Sequence, residues 1–161
     1  MSTADTLPAK TREQQALDTI SSYAWGNAAA SLIPIPALDL IALTGIQVGM
    51  IHALSKIYDT PFQKNAAKSI VMSLIGSLGS LTLAAGIFLS VLKFVPFLGM
   101  QAAVVTLPAV AGAVTYAVGK VFIMHFEAGG TILSFDAEAM KKYFKEYYQQ
   151  GLTQAKAEGR K

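Results

Sequence analysis

The sequence contains no cysteine, which excludes disulfide bonds, thiol catalysis and cysteine-based metal sites. Histidine is nearly as scarce. His52 and His125 are the only two, and His52 has no second His, Cys or carboxylate nearby in sequence, so no metal centre is expected. Charge is the next shortage: 14% of the residues are Asp, Glu, Lys or Arg, against about 25% in ordinary globular chains. The net charge is +3, with no basic stripe, and no nucleic-acid partner is expected. No Ser/His/Asp set, carboxylate pair or nucleophile motif stands out. Catalytic residues and cofactors are therefore expected to be none, and an enzyme is the least favoured class. The segment before Ala30 carries Asp5, Lys10, Arg12, Glu13 and Asp18 and no apolar run, unlike a secretory signal.

What the chain does have is two long runs without a charge. There are 24 such residues between Lys68 and Lys93 and 26 more between Lys93 and Lys120. About 20 apolar residues suffice to cross a bilayer as a helix. The runs predict spans at about 69–92 and 97–119, joined by a turn at Lys93–Gly99 with Pro96 as breaker. Pro108 is expected to kink the second span, whose helix can continue to Phe126. Ser69, Ser73, Gly76, Ser77 and Ser80 share one stripe of the first, and Gly76 with Ser80 forms a small-xxx-small pair suited to close helix packing in lipid.

Amphipathic segments flank this hairpin. Residues 1–9 are expected to be disordered, and Lys10–Ala30 reads as a helix with a narrow apolar stripe through Leu17, Ile20 and Ala24. Pro34 and Pro36 break it, and a second helix follows over 37–58. Gly45 and Gly49 give that helix a small-residue face for helix packing, and Gln47 is placed to hydrogen-bond between helices. A third embedded span, a re-entrant element and a helix buried in an assembly remain its alternatives. Asp59–Lys68 reads as a polar linker and Gly129–Gly130 as a hinge. Asp136 caps a final helix over 136–157, with Met140, Phe144, Tyr147, Tyr148 and Leu152 on its apolar face. Lys141, Lys142 and Lys145 beside Phe144 and Tyr147 suit a helix lying on an anionic membrane surface; packing on the protein's own N-terminal helix is the alternative. The fold class is thus all-α and of membrane type: residues 10–161 form a single helical membrane domain, with a hydrophobic hairpin flanked by amphipathic helices and a Pro-broken second helix.

Asp39 follows the Pro-x-Pro break in an apolar context. It reads as a cap of the helix beginning near Leu40, or as an ion or proton site in an oligomer. The run from Ala28 to Met50 also resembles an uncharacterised bacterial family whose members often sit C-terminal to small GTPase-like domains. Pro34, Pro36, Asp39, Gln47 and Met50 match its pattern, and the resemblance covers roughly Tyr23–Phe126. It implies a membrane protein. This chain carries no GTPase domain: Val114 stands where a phosphate loop ending at Gly119–Lys120 needs Gly, and Val121 where it needs Ser or Thr. A GTPase is then expected only as a separate partner.

The expected function is a structural or scaffolding protein of the bacterial inner (cytoplasmic) membrane, a homo-oligomer joined through small-residue faces. The lysine distribution favours both termini in the cytoplasm. One alternative is an oligomeric ion channel or pore with Asp39, Gln47, Thr106 and Thr115 along its path. Another is a soluble protein that hides the hairpin and then inserts.

Overall fold

A computed structural model describes residues 9–25, 39–79 and 98–158. These residues form five helices and no strand: α1 (Arg12–Trp25), α2 (Asp39–Ile57), α3 (Lys64–Gly76), α4 (Leu98–Glu127) and α5 (Ala137–Glu158). Pro34, Pro36, Ser80 and most of the turn expected at Lys93–Gly99 lie outside the described residues.

Local chemistry accounts for the helix ends. Thr11 and Gln14 cap α1 reciprocally: the Gln14 N–H donates to Thr11 Oγ1 at 3.2 Å, and the Thr11 N–H donates to Gln14 Oε1 at 3.0 Å. At the start of α5 the Ala139 N–H donates to Asp136 Oδ1 at 3.2 Å, the cap the sequence predicts. Helices α2 and α4 stop in the same way. Asp59, with φ 53°, and Gly129, with φ 83°, each take the left-handed conformation after the helix. The Thr60 N–H reaches back to the Ser55 carbonyl and the Gly130 N–H to the His125 carbonyl, each at 2.9 Å, closing Schellman motifs. Gly129–Gly130, read in sequence as a hinge, forms the stop of α4. A Cβ on Gly130 would sit 2.3 Å from the His125 ring.

Helix α3 starts at Lys64, inside the stretch expected to be a linker. Ala67 is fully buried and continues the stripe of Val71, Leu74 and Leu78, so the apolar face begins a turn before the charges end. The helix stops at Gly76, where the Ser77 N–H and Oγ both bond carbonyls of the last turn. Helix α4 continues unbroken through Pro108 and past Gly119 to Glu127.

The contacts fix a common axis. Arg12 pairs with Asp59 at 3.0 Å, and Tyr58 donates to Glu127 at 2.5 Å. These bonds bring the start of α1 and the ends of α2 and α4 to one level. Farther along, Ile20 meets Gly119, Tyr23 meets Gly49, and Trp25 meets Gly112. Helix α5 runs antiparallel to α4: Phe135 stacks on Phe122, and Gly151 lies against Ala113. Helix α4 packs against all four others, most extensively against α5. Its Ala113, Ala117, Val118, Val121 and Phe122 form the middle of the core with Ile20, Met50, Leu54 and Phe144.

Arg12, Asp59, Lys64, Lys68, Glu127, Asp136, Glu138, Lys141 and Lys142 lie at or near the end where α2 and α4 finish, while Asp39 at the start of α2 and Lys156 and Glu158 at the close of α5 lie towards the other end. Helix α4 leaves the other end. From Gly112, level with Trp25, it extends 14 residues to Leu98, roughly 21 Å at the helical rise.

Candidate functional site

An amide on an otherwise apolar helix needs a partner if it is buried. Gln47 of α2 is fully buried, and its Nε2 donates to Thr115 Oγ1 of α4 at 2.7 Å. The Thr115 hydroxyl donates in turn to the Ala111 carbonyl at 2.9 Å. The threonine proton is therefore used, Thr115 can only accept from Gln47, and the orientation of the amide follows. Gln47 Oε1 is left without a donor among the described residues. Thr44, one turn earlier, is also buried, and its hydroxyl lies 3.6 Å from Met72 Sδ of α3. This polar seam joins α2 to α4 and contains no titratable group.

The charged end holds the second constellation. Burial first, and the hydrogen-bonded carboxylate of Glu127 next, hold the Tyr58 hydroxyl pKa well above its ordinary value. Burial likewise raises that of Tyr148. The α4–α5 loop is braced from within. His125 Nε2 bonds the Thr131 carbonyl at 2.8 Å, and the Thr131 N–H donates to Ser134 Oγ at 2.8 Å. His125 also lies edge-on to Phe135 at 4.9 Å. Among the described residues no three His, Asp or Glu side chains come together as metal ligands.

The other residues singled out in the sequence are dispersed. Asp39 is the first residue of α2. Met50 is a fully buried core residue. A Cβ on Gly49 would stand 3.7 Å from the Tyr23 ring, whereas Gly45 and Gly76 are exposed, with open space where a Cβ would stand. On α5, Phe144 is fully buried against the protein rather than turned outward. Lys141 pairs with Glu138, and Lys142 and Lys145 are exposed. Tyr147 lies beneath Lys120, whose Nζ is 5.4 Å from the ring centroid. The amphipathic helix packs most extensively on α4.

The close approaches at Gly112, Gly119 and Gly151 do not stand out in sequence. A Cβ at these positions would fall 2.4 Å from Trp25, 2.5 Å from Ile20 and 2.8 Å from the Ala113 Cα. The available signal was the seven-residue step from Gly112 to Gly119, which keeps both on one helical face.

The sequence profile of the family described as Domain of unknown function (DUF697) matches residues 2–153. A relative described as Magnetosome membrane protein 22, from Magnetospirillum gryphiswaldense, is 36% identical over 140 residues, which cover 87% of this chain and 72% of the relative. No solved structure matches the chain.

Proposed function

The chain belongs to the family described as Domain of unknown function (DUF697), and on that footing we propose that it is a non-enzymatic structural protein of a bacterial membrane. The observation that carries this reading is the scarcity of charge in the middle of the chain, where the run from Ser69 to Phe126 holds only Lys93 and Lys120. The name of the 36% identical relative, a magnetosome membrane protein, supports the same location. Among the described residues one stretch, Ala109–Glu127, is long and apolar enough to span, but 61% of it is buried inside the protein, as in the core helix of a water-soluble bundle. The membrane contact is therefore assigned to the apolar residues on the N-terminal side of this stretch. The finer placement is the inner membrane with both termini in the cytoplasm.

Within that membrane the protein self-associates. Ser69, Ser73 and Gly76 form an exposed stripe on α3, and Gly45 is exposed on α2, so these small faces are not used inside the protomer. Small residues let helix backbones approach closely in lipid. A separate GTPase, suggested by the fused members of the resembling family, is the proposed regulatory partner. The pore reading is weakened, since Gln47 and Thr115 are bonded to each other within the protomer.

Carbonate extraction tests the membrane assignment: the protein is expected to stay in the pellet, and release into the supernatant contradicts it. Sizing in detergent tests self-association. Gly76→Leu is expected to shift the assembly towards monomer with little change in thermal stability; a wild-type monomer contradicts the proposal.

A further inference from the structure

Lys120 is the only charged side chain between Lys93 and Glu127. It is half-buried on α4, and no carboxylate lies within ion-pair distance of it among the described residues. Glu138 pairs with Lys141 and Glu127 accepts from Tyr58, while Glu146, next to Tyr147 on α5, is exposed and has no ion pair among the described residues. The one described interaction of Lys120 is with the face of Tyr147 on α5. Tyr116 lies one turn before Lys120 and Met124 one turn after it, so all three share a face of α4. Tyr143, one turn before Tyr147 on α5, is 44% exposed. The hydroxyls of Tyr116, Tyr143 and Tyr147 have no acceptor among the described residues. One seam therefore presents an unpaired ammonium and several unused O–H donors, against apolar ring and methionine surface.

A cation beside tyrosines is a common arrangement at the headgroup level, and basic pockets between helices hold anionic headgroups. A phosphodiester supplies the missing acceptors and charge, and its acyl chains run towards the apolar end. A free anion has no use for the flanking rings.

We propose that the α4–α5 seam at Lys120 binds the headgroup of an anionic phospholipid, with Lys120 as the cation and the neighbouring tyrosine hydroxyls as donors. The assignment rests on the membrane reading above, which fails separately if carbonate releases the protein. The test is thermal unfolding of the full chain in detergent with added phosphatidylglycerol, phosphatidylcholine or inorganic phosphate. Phosphatidylglycerol is expected to raise the Tm by about 5 °C, and the other two to leave it unchanged. Lys120→Gln and Lys120→Met should each abolish the shift, while Lys120→Arg and the surface control Lys142→Gln keep it. An equal shift in the neutral Lys120 variants, an equal shift with phosphatidylcholine, or a shift with phosphate alone would overturn the assignment.

Discussion

Gln47 shows how a single side chain can both join and weaken an interface. Its Nε2 holds Thr115, but its Oε1 is buried with no donor among the described residues. An orphaned buried acceptor costs roughly 1–3 kcal/mol. Gln47→Leu removes the orphan and the donor together and is expected to leave stability unchanged or raise it by about 1 kcal/mol. Thr115→Val strands both ends of the amide and is expected to cost about 2 kcal/mol. Chemical unfolding of the two variants checks the order. The glycines give a sharper contrast. At Gly151 a Cβ meets the backbone of Ala113, which cannot step aside, so Gly151→Ala should lose about 1–3 kcal/mol. Gly45 faces open space in mid-helix, and Gly45→Ala should gain up to about 1 kcal/mol in the same measurement. Sequence alone marked Gln47 as an interhelical donor, because a buried amide needs a partner. It could not identify Thr115, which lies 68 residues away and is brought near only by the packing of α2 on α4. Nor could it separate Gly45 from Gly151, since glycine in a helix looks alike whether a neighbour touches it or not.

The helices were legible where periodicity or capping chemistry was strong. Asp136 before an apolar stripe marked the start of α5, and the narrow face of α1 was visible in Ile20 and Ala24. Boundaries moved where one residue extended a stripe, as Ala67 does for α3. Facing was the least legible property. Phe144 with its flanking lysines fits both a membrane surface and a protein groove, and the choice depends on the thin Ala- and Gly-rich side of α4. Helix α2 ends in a device with a measurable consequence. The Tyr58 hydroxyl, buried and bonded to Glu127, holds its proton above the ordinary pKa of 10.0. An unfolded chain ionises Tyr58 near that value while the folded chain does not. The stability it contributes is present below about pH 10 and falls as the pH rises further. The Tm of the wild type should therefore drop more steeply above pH 10 than that of Tyr58→Phe. A parallel decline in both would refute the linkage, and buried Tyr148 supplies the slope remaining in the variant.

At the scale of the whole molecule, the two halves of α4 have different surroundings. The latter half of α4 is the core of a helical bundle, enclosed by α1, α2 and α5, while its first turns extend beyond Trp25. Hydropathy cannot distinguish these halves, because a core helix and a spanning helix need the same composition. Only the amphipathic helices that cover one half separate them. The central claim is that the charged end stays in water while the apolar run enters the bilayer. The absence of cysteine makes it directly measurable, since any introduced thiol is the only one in the protein. Single variants Lys142→Cys, at the charged end, and Ala84→Cys, within the apolar run, would be exposed to a membrane-impermeant maleimide in washed membranes. The account predicts that Lys142→Cys labels in inverted vesicles but not in intact spheroplasts, and that Ala84→Cys labels in neither until detergent is added. Equal labelling of the two positions before detergent would contradict it.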